Sequence, residues 1–428
     1  MSEWKEIRLG DLCYRVCSGG TPKSTCSTYY EGGKIPWLNT KEINYNRLYT
    51  TESHITEEGL NNSSAKWIDA NSVIVAMYGA TAGRVAIAKV PMTTNQACCN
   101  LMIDSSKADY NFIYYYLSMS YKQLLNMANG AAQQNLNAQV IKDFVVSLPD
   151  IQEQRHIASI LSSLDDKIAV NKKICENLEA QAQALFKHWF VDYTPFFAEQ
   201  SGKAERKDGN FCANREQNET CFNSAEVQPK ITGKACKFVE SELGMIPEGW
   251  RVGTLGDIAE FKRGKTITKS DVKEGLIPVV AGGLEPAYYH NQSNTSSRVI
   301  TISGSGANAG FTRMYYQPVW ASDCSFVDNA ATQFLHTAYC YLLTNKKNVD
   351  ALQWGAAQPH VYAKDINKLP LAIAPLDVLN QFEGMVSGMF DLIDVNDKEI
   401  IRLTTLRDTL LPKLMSGQIK VNEIEKSL

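Results

Sequence analysis

The order of apolar and polar positions divides the chain into two kinds of territory, and each kind occurs twice. In residues 1–149 and 241–374, short Val-, Ile- and Tyr-rich pieces such as 72–78 and 298–303 stand between Gly, Asn and Pro, which predicts strands. Helical spacing is rarer there and falls at residues 112–127 and 334–343. Each region therefore reads as a mixed α/β lobe with a turn-rich sheet. Residues 152–191 differ: they hold no Gly or Pro and repeat apolar residues at helical spacing, which predicts one long helix.

Within that helix Leu161, Ile168, Cys175, Ala182 and Trp189 form one seam row, and Leu164, Asn171, Leu178 and Leu185 form the other. This is the heptad alternation of a coiled coil. An offset of 225 residues reproduces it as Val386, Ile393, Ile400, Arg407 and Leu414 with Met389, Asn396, Leu403 and Leu410. The polar position is Asn in both copies, so Asn171 and Asn396 either fix the register between two helices or lie solvated at the seam edge. Arg407 predicts that the coil splays there and that tight packing stops at Leu403. Phe186, Phe190, Leu411 and Met415 are expected on outer faces. A helix of about 40 residues spans roughly 60 Å, so an antiparallel pair would act as a spacer.

The lobes repeat as well. Trp4-Lys5-Glu6-Ile7-Arg8-Leu9-Gly10-Asp11-Leu12 returns as Trp250-Arg251-Val252-Gly253-Thr254-Leu255-Gly256-Asp257-Ile258. Gly79-Ala80-Thr81-Ala82-Gly83 returns as Gly306-Ala307-Asn308-Ala309-Gly310, and Gly130-Ala131-Ala132-Gln133 as Gly355-Ala356-Ala357-Gln358. Order is kept throughout, and residues 30–71 find no clear partner. The expected architecture is α+β: two similar mixed α/β lobes at 1–149 and 241–374, separated by a pair of long antiparallel coiled-coil helices, the first at 150–194 and the second with a C-terminal tail at 375–428, with pseudo-twofold internal symmetry. A linker at 195–240 is read from the Ser, Asn, Glu, Gln, Lys and Gly of residues 198–228.

Composition narrows the function. With 43 Lys plus Arg against 46 Asp plus Glu, bulk charge alone does not hold this chain to nucleic acid. No apolar run is long enough to cross a membrane and residues 1–11 lack a signal-peptide layout, so a cytoplasmic chain is expected. Eleven cysteines without a Cys-x-x-Cys fit free thiols better than zinc or disulfides, and six histidines form no metal or triad pattern.

Catalytic signatures fail one by one. Arg263-Gly264-Lys265-Thr266 has Ala259 where a P-loop needs Gly, and Gly304-x-Gly306-x-x-Ala309 runs into strand-like Gly310 to Pro318 rather than a helix. Tyr193-Thr194-Pro195-Phe196 lacks both the acceptor and the first Pro that amino-methyl transfer needs.

Two lobes, matched helices and no catalytic set resemble the specificity (S) subunit of type I restriction-modification systems. The likeness is carried by Trp4 to Leu12, Ser18-Gly19-Gly20-Thr21-Pro22 with Ile35-Pro36-Trp37, and Leu148-Pro149 before Gln152-Glu153-Gln154-Arg155-His156-Ile157. It continues in Phe186-Lys187-His188-Trp189-Phe190-Val191-Asp192, Ser241-Glu242-Leu243-Gly244-Met245-Ile246-Pro247-Glu248-Gly249-Trp250 and Leu411-Pro412-Lys413-Leu414-Met415-Ser416-Gly417. The second copy departs at Pro375 and Gln381, where Asn380 replaces an acidic residue. The resemblance implies a non-catalytic subunit whose lobes are target recognition domains reading a bipartite double-stranded DNA site. It also implies two modification subunits, which carry S-adenosylmethionine and methylate adenine, and through them two restriction subunits that use ATP and Mg; this chain itself holds no cofactor and no metal.

Base reading needs hydrogen-bonding side chains on loops that approach the groove. In lobe one the candidates are Thr21, Lys23, Thr40, Lys41, Thr81, Arg84, Asn95, Gln96, Gln133, Gln134 and Asn135. In lobe two they are Lys262, Arg263, Lys265, Ser305, Asn308, Arg313, Gln358, His360 and Lys364. Gln133 and Gln358, shared by both copies, suit phosphate contact or loop bracing, whereas Gln134-Asn135 and Pro359-His360 differ and suit base choice. Two other readings remain open at this stage: a coiled-coil scaffold that never reads DNA, and the recognition partner of a fused nuclease-methyltransferase of type IIB or IIG kind.

Overall fold

The structure is a computed structural model that describes residues 4–129, 136–197, 237–355, 359–419 and 421. It divides into two compact units, Met1–Asn171 with Glu399–Leu428, and Lys172–Lys398.

In the first unit, strand Lys5–Arg8 pairs antiparallel with Val145–Leu148, just before the first long helix. The main sheet orders Cys13–Ser18, Cys98–Ile103, Val73–Ala76, Val85–Ala88 and Asn46–Leu48. Side chains alternate across its central strands. Val73, Val75, Val85 and Ile87 face Phe112 and Ile113 of helix Tyr110–Met119, while Ile74, Ala76, Ala86 and Ala88 join Leu38, Ile68 and Met92 in a second core. That second core is closed by a sheet of Ser53–Ile55, Ile35–Leu38, Met92–Thr94 and Trp67–Ile68. The helical stretch expected at 112–127 is two helices, Tyr110–Met119 and Tyr121–Asn129, broken at Ser120.

The second unit repeats this plan. Arg251–Thr254 pairs with Pro370–Ile373, the main sheet orders Lys262–Arg263, Cys324–Asp328, Val299–Ser303 and Thr312–Tyr315, and a smaller sheet orders Tyr288–His290, Ile277–Val280 and Trp320–Ala321. Ile277–Val280 lies antiparallel to Tyr288–His290 and parallel to Trp320–Ala321. Ile35–Leu38 stands in the same relation to Ser53–Ile55 and Met92–Thr94. Residues 30–71 therefore do have counterparts. What the second copy lacks is Asn46–Leu48, helix Glu57–Asn61 and Trp67–Ile68, and these insertions hid the match.

The long helices are Ile151–Phe190 and Leu376–Met415. Asp150 caps the first, its carboxylate accepting from the Gln152 and Glu153 amides at 3.0 Å. Within each unit the helix portions run antiparallel, since partner numbers fall as first-helix numbers rise. In the first unit Asp165 pairs with Arg407 and Asn171 with Glu399. In the second, Cys175 meets Asp397 and Phe190 meets Phe382.

Three expectations about the seam need correction. Packing does not end at Leu403: the Arg407 guanidinium binds Asp165 at 2.8 Å and remains in the seam, and Leu414 and Met415 are buried in the first unit's core beyond it. Phe186, Phe190 and Met415 are not on outer faces, because each lobe covers its helices from a third side; only Leu411 is partly exposed. The two Asn residues also behave differently. Asn171 is fully buried and donates to Glu399 at 2.8 Å, whereas Asn396 is partly exposed and donates to the Leu392 carbonyl of its own helix.

Of the linker expected at 195–240, residues 198–236 lie outside the described residues. Among the described residues no helix is long and apolar enough to cross a membrane.

Candidate nucleic-acid interface

The repeated Gly-Ala-x-Ala-Gly segments form the tips that join two adjacent antiparallel strands of each main sheet, Val73–Ala76 to Val85–Ala88 and Val299–Ser303 to Thr312–Tyr315. Gly79 and Gly83 adopt φ of 86° and 80°, and Gly306 and Gly310 adopt 80° and 83°. Left-handed backbone at both ends of the tip accounts for glycine at both places in both copies. The bonding repeats too: Gly83 donates to the Ala76 carbonyl at 2.8 Å and Gly310 to that of Ser303 at 2.9 Å. Each tip is then tied to the loop after the middle strand of the smaller sheet. The Thr81 hydroxyl donates to the Thr40 carbonyl at 2.9 Å, and the Asn308 amide to the Gly282 carbonyl at 3.5 Å.

A second brace is repeated with a different residue order. The indole of Trp37 donates to the Gly20 carbonyl at 2.9 Å, and that of Trp320 donates to the Lys265 carbonyl at 2.8 Å. The indoles come from different strands yet pin the same loop, the one following the first strand of each main sheet. Gly19 and Gly264 precede the pinned residues, where a Cβ would stand 2.0 Å from the Thr94 carbonyl oxygen and 2.4 Å from that of Ser322.

In the first unit these loops bring most of the sequence candidates together. Thr21 donates to the Gln96 side chain. Neighbouring Asn95 reaches Asn39, which precedes Thr40 and Lys41, and Arg84 donates to Asn44 at 2.8 Å. Asn95 itself is buried, and its carbonyl accepts from the Ala97 amide, so it braces the turn and does not offer its amide outward. Lys41 is already paired with Glu52 at 2.6 Å, and that carboxylate holds its ammonium above the usual lysine range. Lys23 is exposed in the following turn. Gln133, Gln134 and Asn135 lie outside the described residues.

In the second unit Ser305 donates to Asp323, and its backbone bridges to His360. Lys265 is exposed on the pinned loop, and Lys262 and Arg263 are exposed on the adjoining edge strand. Arg313 is engaged within the protein: it donates to the Leu284 carbonyl at 3.1 Å, approaches Glu285 and lies over the Tyr315 ring. Lys364 lies 5.6 Å over the Tyr362 ring, which stacks nearly parallel to His360. Gln358 lies outside the described residues. Trp354 and Tyr362 are 65% and 41% exposed on this face and stand outside the Arg, Lys, Asn, Gln, Ser and Thr set to which base-edge reading points in the sequence.

Among the described residues no group of three or more His, Cys, Asp or Glu is placed to hold a metal, and the described cysteines are free thiols. Burial pushes Cys99 and Cys324 up to about 12, which keeps both thiols protonated and poor nucleophiles.

A duplicated lobe presenting the same braced loops, mounted on long paired helices, defines a recognition scaffold. The chain belongs to the family of the type I restriction modification DNA specificity domain, which matches residues 1–180 and 247–403. It is 27% identical over 447 residues to the Type I restriction enzyme MjaIX specificity subunit of Methanocaldococcus jannaschii, covering 99% of this chain and 95% of that one. It is 23% identical to the Type I restriction enzyme HindI specificity subunit of Haemophilus influenzae, over 98% of this chain and all of that one. Its fold is similar to the crystal structure of the type I restriction-modification S subunit from M. genitalium, with a TM-score of 0.55, 19% identity and 96% of each chain covered.

Proposed function

We propose that this chain reads a bipartite, asymmetric DNA target in the cytoplasm, one half-site per lobe, and docks two modification subunits without itself performing catalysis. The observation that carries this reading is the repeated loop cluster: identical turn geometry and equivalent braces in both units, with different side chains displayed on them. Thr81 and Arg84 occupy one tip where Asn308 and Phe311 occupy the other. Like scaffolds with unlike displays suit two half-sites of different sequence. Direct contacts are assigned to Thr21, Lys23, Thr40, Thr81, Arg84 and Gln96 in the first unit and to Lys262, Arg263, Lys265, Ser305, Asn308 and Lys364 in the second. Phosphate neutralisation beyond what a chain of net charge −3 supplies falls to the partners.

In this reading the modification subunits bind S-adenosylmethionine and methylate adenine, and two restriction subunits bring ATP and Mg. The helix pair sets the gap between half-sites. Inserting four residues into the first long helix, between Leu161 and Ala182, changes the gap and leaves both half-site sequences alone. Methylome sequencing of a host carrying the variant reads both quantities; altered half-sites with an unchanged gap contradict the assignment.

A further inference from the structure

We propose that Trp354 is a nucleobase-stacking contact of the second unit, presented on a hydrogen-bonded rung and accompanied by the cation of Lys364. This rests on the DNA-recognition reading above.

Trp354 is 65% exposed although its backbone is firmly held. Its N–H donates to the His360 carbonyl and its own carbonyl accepts from the His360 N–H, both at 2.9 Å. The rung is in turn joined to the main-sheet tip: Gly306 donates to the Pro359 carbonyl at 3.1 Å, Val361 to that of Gly304 at 3.0 Å, and Ser305 bridges to His360. The indole thus projects from the same framework that displays Ser305 and Asn308. Across the rung the His360 ring lies within 14° of parallel to that of Tyr362, and the Lys364 ammonium covers the Tyr362 face.

An exposed, backbone-anchored indole on the framework that also carries those rings and the ammonium matches a ligand with flat aromatic faces and regularly spaced anions. DNA has both. Holding the backbone in advance removes ordering entropy from binding, so the apolar face is available for recognition. Gly355 repeats Gly130, which puts Asn129 at the corresponding place in the first copy. The stacking contact therefore belongs to one half-site alone and adds to the asymmetry of the target.

The test uses the full chain in complex with its modification subunit and a duplex carrying the target found by methylome sequencing, with a scrambled duplex as control. Trp354→Ala is expected to weaken target binding roughly 5- to 150-fold while Trp354→Phe stays within about threefold of wild type, as stacking on either aromatic ring predicts. Circular dichroism and melting of both variants check that the unit remains folded. Indole emission provides a second readout: adding target duplex quenches the wild-type signal, and Trp354→Phe loses most of that change while still binding. If Trp354→Ala binds the target as tightly as wild type does, and wild type discriminates target from scrambled DNA, the stacking contact is overturned and the recognition reading stands. If wild type does not discriminate, both fall. Loss of the modification subunit with DNA affinity unchanged would assign Trp354 to a protein interface and overturn the proposal as well.

Discussion

The two units solve the same packing problem with opposite chemistry at one pair of repeat-related positions. In the first, Asp165 and Arg407 meet across the helix pair at 2.8 Å, and Tyr115 and Arg47 extend the contact: Tyr115 donates to Asp165 at 2.6 Å, and Arg47 to Tyr115 and Asp166. The 225-residue offset carries Asp165 to Phe390 and Ala182 to Arg407, so the counterpart pair in the second unit is Phe390 and Ala182. Both are fully buried in an aromatic core with Phe186, Trp189, Phe190 and Phe382. An acid and a base have exchanged for a large and a small apolar residue, and each exchange makes sense only with its partner. A duplicated backbone therefore fixes where side chains meet while leaving open how they attract, which permits the two lobe-to-helix junctions to diverge together with the lobes.

The largest expected effect breaks the apolar side of this comparison. Phe390→Ala removes a fully buried ring that stacks on His336 and meets Tyr339 edge to face, and should destabilise the second unit by about 3–5 kcal/mol. Hydrogen exchange resolved by unit would show the loss confined to residues 172–398.

Next comes Glu383, whose carboxylate accepts from the His336 and Thr337 amides at 3.1 and 2.9 Å and from the His336 ring at 2.7 Å, holding the start of helix Leu335–Thr344. Glu383→Ala leaves those donors unpaired and should cost about 2–4 kcal/mol by the same measurement. In the first unit Gln154 does related work, accepting from the Asp109 amide at 3.0 Å, but it is uncharged, and Gln154→Ala should cost about 1 kcal/mol.

The polar junction gives a smaller and more telling result. Asp165→Ala alone leaves Arg407, in a partly buried seam, with the exposed Asp408 as its remaining acid, and should cost about 1–3 kcal/mol. Replacing both as Asp165→Leu with Arg407→Met should lie within about 1 kcal/mol of wild type or above it, because apolar residues of similar volume avoid desolvating two charges. A double replacement as damaging as the single one would show that the ion pair cannot be exchanged for packing.

The smallest effect is in pH. Burial alone would push Glu383 up, but the bonds from His336 and Thr337 outweigh it and hold its carboxyl below the usual glutamate range. Its contribution is therefore complete above the ordinary value and is lost as pH falls through the lower folded value. Asp397 has the opposite sign: burial first, then Asp394, raise it despite Arg313 and the Cys175 thiol, so its contribution is present in acid and is lost as pH rises past its folded value. Melting of Asp397→Asn should lose that decline on going from pH 4 towards neutrality, while Glu383→Gln should show a shallower acid-side decline than wild type.

Much of this was legible in the chain. The doubled Gly-Ala-x-Ala-Gly segment announced two like turns, and the stretch 152–191 without Gly or Pro placed the first helix within a residue of its ends, whereas the second, expected with a tail over 375–428, starts within a residue of that bound and ends at Met415. The exchange at Asp165 and Phe390 was not legible, because a heptad pattern scores positions as apolar or polar and takes a seam arginine as a terminus. Arg407 finds its acid on the other helix, some 240 positions away, a distance over which spacing carries no information. Phe186 and Phe190 were misplaced for a related reason: a coiled coil covers one stripe, whereas these helices are also covered by a lobe. Asn95 looked like a reading residue until the fold buried it.

The central claim is that each lobe reads one half-site. It is tested most directly by methylome sequencing of hosts carrying the modification subunit with either this chain or its Asn308→Ala, Lys265→Ala variant. The account predicts a split motif in which the variant relaxes or abolishes one half and leaves the other half and the gap unchanged. A contiguous motif, or a variant that alters both halves, would contradict it.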